Sequence, residues 1–492
     1  MAKLNFSKVG NFFKRIFVSP VRNISAKINK KGDSKSLWAA LQTKEVKKKI
    51  LITLGLIVVY RVLAAVPLPG IDIGIYNEVF GDNPINNLFT LVTGGRLDNP
   101  SVVAIGLGAY INASIILQLL TSVIPKLEEL SKEGERGRRV INMYTRILAV
   151  PLNIIQAFVI YTVLQSTARS IPQLAGLVAN ITTLDVVTMI AALTAGSMVL
   201  MWIGELITEY GMGNGISIII TIGILSVLPG LIVRDFNFIQ GDINLLLNGN
   251  INALFSGSFL LVLVTLIALG LLIYGITYIT EANRKIVIQY ASRVRATQSG
   301  QKSYLPLKIN QAGVMPVIFA SALLTFPQII AQFLTSAAAQ GSFLWKVGDK
   351  ITNSFLSRSF SGGSTTDFVL YQATFLIIIV FFTFFYTFVT YKPNETADNL
   401  KKGGGFIPGI RPGKETENYI KGVLIRLTFW GAIFLGTVAI IPSLIRLVPE
   451  GANLAIFTGI GGTSLLIIVG VIIDTIRQIK SVAVTRSYDQ FK

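Results

Sequence analysis

The chain has 492 residues, 52% of them hydrophobic and 14% charged, which excludes an ordinary soluble domain and is typical of a polytopic membrane protein. It has neither cysteine nor histidine, so the sequence excludes disulfides, thiolate metal sites and Ser-His-Asp catalysis. The formal net charge of +19 is compatible with a nucleic-acid partner, but in a membrane protein it first reflects topology.

The N-terminal arm carries apolar residues at helical spacing, interleaved with lysine and arginine. These apolar residues are Val9, Phe12, Phe13, Ile16 and Phe17. The pattern favours a basic amphipathic helix lying on an anionic membrane leaflet, and a disordered arm is the alternative. A signal peptide is not indicated, because the apolar positions are periodic and no small-residue cleavage site follows them.

Ten apolar runs are long enough to cross a bilayer as helices. They lie near residues 50 to 66, 101 to 122, 140 to 164, 185 to 207, 215 to 233, 257 to 279, 309 to 333, 368 to 391, 421 to 444 and 454 to 476. The sequence therefore predicts an all-α polytopic membrane protein with ten transmembrane helices.

The basic residues are divided unequally between the two sets of connectors. The N-terminal arm and the connectors after spans 2, 6, 8 and 10 hold 36 Lys and Arg, whereas the opposite connectors hold 7 and Arg61 lies within span 1. Connectors rich in Lys and Arg stay on the cytoplasmic side, so both termini are predicted to be cytoplasmic. Most of the net charge is thereby explained by topology.

The segment from Ile71 to Asn99, between spans 1 and 2, is too short and too polar to cross the bilayer. One interpretation is an exterior loop with a short surface helix. The other is a re-entrant helix that fills a cavity, with Gly94 and Gly95 as a hinge, because irregular backbone at membrane depth needs protein or water around it.

Two small-residue turns stand at corresponding places in the chain. The sequence GMGNG, Gly211 to Gly215, opens span 5, and GGTS, Gly461 to Ser464, opens span 10. Each leads into an aliphatic run, and each belongs to the fifth span of a set of five. This favours a duplicated architecture of two halves, with coincidence as the alternative.

Ionisable residues are scarce within the spans and lie near their ends. The polar residues at mid-depth are neutral: Asn112, Gln118, Asn153, Gln156 and Asn310. They are interpreted individually as hydrogen-bonding groups between helices. A substrate-coupled transporter normally buries charged groups at the midplane, and the spans contain no such acidic pair or relay.

The connector from Tyr391 to Lys421 is hydrophilic, glycine-rich and charged, and it lies between two intensely apolar spans. So many charges and glycines on one connector indicate a docking surface for a partner outside the bilayer.

Eight ordered sequence blocks resemble the SecY family of channel-forming protein translocase subunits, over nearly all of residues 50 to 492. The blocks are PLPGID (67 to 72), ASIILQLL (113 to 120), KEGERGRR (132 to 139), GNGISIII (213 to 220), LPLKINQAGVMPVIFAS (305 to 321), ETADNLKK (395 to 402), FIPGIRPG (406 to 413) and GGTSLLI (461 to 467). The chain departs from the family pattern at Ala109, where a proline is frequent, and at Leu107, where isoleucine is usual.

The resemblance implies a clamshell of two pseudo-symmetric five-helix halves around an hourglass pore. Residues 1–49 are then a cytoplasmic arm, 50–240 the first half, 241–478 the second half and 479–492 a cytoplasmic tail. The narrow ring of the pore corresponds to Leu107, Ile111, Ile216, Ile220, Ile318 and Ile467. Flexible aliphatic tips suit a ring that closes around varied side chains and hinders ion leakage by dewetting.

The resemblance also implies a plug and a lateral gate. The plug lies within residues 72–99 and corresponds to Asn86, Asn87, Leu88, Phe89, Thr90, Leu91, Val92 and Thr93. This makes the re-entrant interpretation of the segment the favoured one. Spans 2 and 3 against spans 7 and 8 are implied to form the gate, where Gln118 and Asn310 match a polar cluster. Each hydrogen bond of this cluster contributes about 1 kcal/mol, which an apolar signal sequence can offset when it enters the gate.

The cytoplasmic loops 280–308 and 391–421 are implied to dock partners. The residues expected to bind the SecA motor ATPase and ribosomal RNA phosphate are Arg293, Arg295, Lys401, Lys402 and Arg411. Further implied partners are SecE-like and SecG-like membrane subunits, signal sequences, nascent membrane proteins and lipid. The expected location is a prokaryotic plasma membrane, and neither cofactor, metal nor enzymatic activity is expected.

Two functions of other classes are the alternatives. A secondary transporter of a small solute explains inverted halves, but it requires a charged or ion-coordinating midplane site. A membrane-bound enzyme requires a reactive group that the sequence does not reveal.

Overall fold

A computed structural model describes most of the chain. The described residues are 44–69, 101–170, 182–247, 257–290, 303–337, 341–355, 365–445 and 461–489. The predicted plug, most of the N-terminal arm, Arg293 and Arg295 lie outside these residues.

A helix lies at each of the ten predicted spans. These helices are α1 Lys44–Ala65, α2 Gly108–Val123, α4 Glu135–Ser170, α5 Thr183–Tyr210, α6 Gly215–Leu247, α7 Gly257–Glu281, α8 Met315–Ala337, α10 Thr365–Thr390, α12 Lys414–Ile445 and α13 Gly462–Asp489. Three shorter helices lie in the connectors: α3 Pro125–Lys132, α9 Phe343–Phe355 and α11 Pro393–Lys402.

The helices do not end where the apolar runs end, because hydropathy identifies the apolar part of a helix and not its termini. The second span becomes helical only at Gly108, after a turn in which Gly106 has a φ of 64°. Conversely, α6 continues to Leu247, so the predicted boundary at residue 240 between the halves falls inside a helix.

Six helices in the described part of the chain are long and apolar enough to cross a membrane: α4, α5, α6, α7, α10 and α12. A seventh is added if α2 and α3, which are bent by 101° at their junction, form one broken span. The protein is thus a multi-pass membrane protein, while the count of ten crossings rests on the sequence.

The two sets of five helices share four helix contacts. In the first set, α1 contacts α5, α2 contacts α4, α4 contacts α5 and α5 contacts α6. In the second set the corresponding pairs make contact: α7 with α12, α8 with α10, α10 with α12 and α12 with α13. Shared packing is what a duplicated architecture requires, so the structure has the two equivalent halves that the sequence predicted.

The halves meet along two seams. On one side α2 and α4 contact α8, and on the other α6 contacts α7 and α13. The chain passes directly from α6 to α7, so the second seam joins consecutive helices and the first joins helices distant in sequence.

The glycines that begin the fifth helix of each half make equivalent contacts. A Cβ added at Gly215 would collide with the carbonyl oxygen of Gly204 in α5. A Cβ added at Gly462 would collide with the carbonyl oxygen of Val438 in α12. Only glycine permits such an approach of helix to backbone, so both small-residue turns are packing sites between fourth and fifth helices.

A three-stranded sheet, which the sequence analysis did not predict, joins two connectors. Strand β1, Asn283–Tyr290, pairs antiparallel with β2, Ser303–Lys308, and with β3, Gly405–Phe406. The order is β2-β1-β3, so the connector after α10 adds a strand to the connector after α7.

The glycine contacts predict unequal effects of Gly→Ala substitutions within one helix. Gly215→Ala should force α5 and α6 apart and destabilise the protein by about 1 to 3 kcal/mol, as overpacking does. Gly230→Ala is the matched control, because a Cβ there meets nothing within 4 Å. The measurement is the midpoint of thermal unfolding in detergent, and equal midpoints for the two variants would contradict the packing role of Gly215.

Candidate functional site

All six predicted ring residues lie in one hydrophobic cluster. Leu107, Ile318 and Ile467 are buried within it, each less than 10% exposed. Ile111, Ile216 and Ile220 are partly buried and pack against it. The six side chains come from the start of α2, from α6, from α8 and from α13, so the cluster spans both halves of the molecule.

The same cluster contains residues that the sequence analysis missed. Ile218 and Ile219 follow Ile216 along α6, and Val471 lies one turn after Ile467 on α13. The signal that could have found Val471 is its i+4 spacing from a ring residue, which places both side chains on one helix face. The six predicted ring residues are therefore part of a larger hydrophobic contact.

The position of Ile216 is fixed by hydrogen bonds to the turn before α6. The Met212 amide donates to Thr53 Oγ1 of α1 at 3.0 Å, and the Gly213 amide donates to Gln478 Oε1 of α13 at 2.6 Å. Gly213 has a φ of 89°, in the left-handed region that favours glycine. The Gln478 bond crosses between the halves, and it could not be predicted because its partner is distant in sequence.

Leu107 is held by the non-helical segment that precedes α2. Ser197 Oγ of α5 donates to the Gly106 carbonyl oxygen at 2.9 Å. The backbone of Val102 lies so close to Gly196 of α5 that a Cβ at that glycine would collide with its carbonyl oxygen. Helix α5 therefore fixes the turn that presents Leu107.

An ion pair joins α4 to α5. Arg146 Nε donates to Glu205 Oε1 and Arg146 Nη2 to Glu205 Oε2, both at 2.8 Å. Two parallel bonds of this kind fix orientation as well as distance. The partner of Glu205 therefore comes from the preceding helix.

Helices α2 and α4 contact α8 along the seam where the gate is predicted. Gln118 is half-buried on α2, and Asn310 is 4% exposed just before α8. Asn310 Nδ2 donates to the nearby Gly313 carbonyl oxygen at 2.9 Å, while Asn310 Oδ1 has no donor among the described residues. The expected bond from Gln118 to that oxygen is therefore not formed here.

The two predicted docking loops form one unit, which we term the loop platform: β1, β2, β3, α11, residues 407–413 and the start of α12. Its apolar core draws on both loops and consists of Ile286, Ile288, Leu307, Leu400, Ile407, Ile420 and Val423. Burial and the neighbouring Arg477 lower the pKa of Lys308 at the end of β2. Because the two loops share this core, they present their charges in a fixed arrangement.

The predicted docking residues within the described part of the platform are exposed. Lys401 and Lys402 end α11, where their charges suit the helix C-terminus. Arg411 lies on a turn between Gly409 and Gly413, whose φ values are 83° and 107°. Its carbonyl oxygen accepts a hydrogen bond from the buried Thr416 Oγ1 at 2.9 Å, so the backbone is fixed while the guanidinium stays in solvent.

A search of the described residues finds no group of three or more Asp, Glu, His or Cys side chains that could hold a metal ion.

Comparison with known proteins shows extensive similarity. The SecY family model matches residues 101–476. A Streptomyces galbus protein named Protein translocase subunit SecY is 41% identical over 465 residues, which cover 92% of this chain and 98% of that protein. A protein of the same name from Mycobacterium bovis is 37% identical over 463 residues, with the same coverage. The family resemblance read from the sequence blocks is confirmed.

Solved structures show the same fold at lower sequence identity. One described as "The structure of a protein conducting channel" has a TM-score of 0.61 and 19% identity, covering 89% of this chain and 93% of its own. Another, "Sec61 in the Canine ribosome-channel complex from the endoplasmic reticulum", has a TM-score of 0.60 with 19% identity and the same coverage. The predicted clamshell is thereby confirmed as a fold that is mostly helical.

The shared core of the loop platform predicts that loosening one loop exposes the other. Ile288→Ala removes a buried side chain of β1 and should cost about 2 to 5 kcal/mol of local stability. Trypsin should then cut faster within residues 391–421, as identified by mass spectrometry. Tyr304→Ala on β2, where the side chain is exposed, is the control. Faster cleavage confined to residues 283–308 would show that the loops are independent.

Proposed function

The chain belongs to the SecY family, and from that premise we propose how its residues conduct polypeptides. It is a protein-conducting channel, which passes unfolded secretory chains across the membrane and releases transmembrane helices into lipid. We place the narrow point of the channel at Leu107, Ile111, Ile216, Ile220, Ile318 and Ile467. The observation that carries this proposal is their convergence from four elements of both halves on one cluster.

An aliphatic ring suits a conduit for varied polypeptides. Branched side chains offer no hydrogen bond or charge to a passing segment, so no sequence is held at the constriction. When the ring is empty, its apolar lining excludes water and with it hydrated ions. Because only dispersion and hydrophobic contacts join the halves at this point, the ring can part and close again without leaving a polar group unpaired.

The lateral exit is proposed along the seam of α2 and α4 with α8. Asn310 Oδ1 and Gln311 Oε1 are buried there without donors in the described part of the chain. An unpaired buried acceptor costs free energy, so these two side chains favour movements that bring water or a donor to the start of α8. This differs from the expectation from the sequence, in which hydrogen bonds of the cluster resist the entry of a signal sequence. We propose that Gln118 and Asn310 form the cluster only in the rearranged state, which apolar signal sequences stabilise by entering lipid.

The loop platform is proposed as the docking site for a SecA-type motor and for ribosomal RNA. Support comes from the exposed Lys401, Lys402 and Arg411 on a packed support. Arg293 and Arg295 are assigned to the same surface from the sequence. The wider proposal includes SecE-like and SecG-like subunits, a prokaryotic plasma membrane, cytoplasmic termini and a plug formed by residues 86–93.

The ring assignment predicts that a polar substitution there causes ion leakage. Ile467→Ser should raise the ion conductance of the resting channel several-fold in planar bilayers, because the hydroxyl lets water enter the constriction. Ile472→Ser is the control, since Ile472 lies on the same helix but is 48% exposed on its outer surface. Equal conductance of the two variants would remove Ile467 from the ring.

The docking assignment predicts that Arg411→Glu abolishes motor-driven export while the protein stays folded and inserted. The measurement is ATP-dependent protection of a signal-bearing preprotein from protease in reconstituted vesicles. Arg411→Lys should retain partial export, because an ammonium keeps the charge but not the planar fork. The control is Lys126→Glu, an equal charge reversal at an exposed residue outside the platform. Normal export by Arg411→Glu would show that the loop is misassigned.

A further inference from the structure

Helix α9 presents an exposed apolar face that the channel function does not use. Phe343 is 79% exposed and Leu344 53% exposed at its first turn. Ser342 caps the helix, accepting the Trp345 amide at Oγ, so this turn is well formed. Two adjacent large apolar side chains on a formed helix are unfavourable in water and favour contact with an apolar phase.

Two lysines form a basic stripe along α9, beside its exposed apolar residues. Lys346 and Lys350 are both exposed and lie four residues apart, hence on one helix face. Phe343 and Val347 form the neighbouring stripe with the same spacing, and the half-buried Asp349 lies on the other side of the lysines. Apolar residues flanked by lysines are the arrangement of helices that lie in a membrane interface.

The position of α9 along α8 places it at the edge of the bilayer. Gly348 packs on α8 so closely that an added Cβ would lie 2.9 Å from both the Ala331 carbonyl oxygen and Thr335 Cγ2. At 1.5 Å per residue, these contacts lie roughly 24 to 30 Å from the first residue of α8, close to the thickness of a hydrocarbon core. Because α8 begins beside β2, α9 lies on the membrane face opposite the loop platform.

We propose that α9 lies flat in the interface of the leaflet opposite the loop platform and binds anionic phospholipid. Phe343 and Leu344 enter the acyl region, while Lys346 and Lys350 contact headgroup phosphates. Helix α9 packs on α8 and also contacts α10. Since α8 forms one side of the proposed gate, lipid bound to α9 is connected to the gate through a single helix contact. The lipid assignment itself does not require the channel assignment.

The natural absence of cysteine makes the depth of α9 directly measurable. A spin label on Leu344→Cys, with Phe343 and both lysines intact, reports accessibility to oxygen and to a water-soluble nickel chelate in nanodiscs. The controls are Lys285→Cys, exposed on β1, and Ile377→Cys, 67% exposed on α10 within the apolar region. We expect the Leu344 label to lie between them, with oxygen favoured over nickel.

The preference for anionic headgroups is tested with the same spin label. Nanodiscs of phosphatidylcholine are compared with nanodiscs that also contain phosphatidylglycerol, which should deepen the Leu344 label. The double substitution Lys346→Ala with Lys350→Ala should abolish that deepening. The matched pair Lys285→Ala with Lys414→Ala, exposed on the platform side, should preserve it.

Three outcomes would overturn the proposal. A Leu344 label as accessible to nickel as the Lys285 label places α9 in water. Protection from both oxygen and nickel shows that protein covers the helix, for example a second copy of the chain. A depth that is independent of phosphatidylglycerol, or a deepening that survives removal of both lysines, removes anionic lipid as the ligand.

Discussion

The aliphatic contact between the two halves is the constraint on which the rest of the structure depends. In the proposed channel, this contact has to be tight enough to exclude ions and yet has to separate without leaving buried polar groups unpaired. Apolar side chains meet both requirements, because their attraction depends on contact area and has no directional bonds to break. The directional interactions lie around the cluster instead: Thr53 and Gln478 hold the turn before α6, and Ser197 holds the turn before α2. Hydrogen bonds therefore fix the turns around the cluster, while the apolar contact itself remains adaptable.

Between helices in a membrane there is little hydrophobic driving force, so close packing has to hold them together. Glycine makes this possible because it lets helix backbones approach closely. Gly215 and Gly462 occupy equivalent places in the two halves and bring each fifth helix against the backbone of the fourth. The ring residues Ile216 and Ile467 follow these glycines by one and five positions. A small change in either helix contact would therefore move a side chain of the proposed constriction directly.

The sequence predicted the helices well because apolar run length depends on local composition. The ring was expected only through family resemblance, since Ile216 or Ile467 alone is interpreted as an ordinary core residue, and the structure brings the six side chains into one cluster. The three-stranded sheet was missed because β1 and β2 are short and polar on one face, and β3 is only two residues long in a distant connector. Pairings between distant segments, such as Arg146 with Glu205, were not predictable from either segment by itself. For Asn310 the residue was identified, but its hydrogen bond in this conformation goes to Gly313.

The two seams between the halves are not alike, and this has a mechanical consequence. The side where α6 meets α7 and α13 is joined by chain continuity and by the Gly213 to Gln478 bond, whereas the side where α2 meets α8 joins helices that are distant in sequence. If the halves rotate about the tethered side, Leu107, Ile111 and Ile318 move further than Ile216, Ile220 and Ile467, which lie on the helices of that side. In the proposed channel, a polypeptide in transit would slide along a stationary wall formed by α6 and α13, and recoil of the opposite wall would accommodate it.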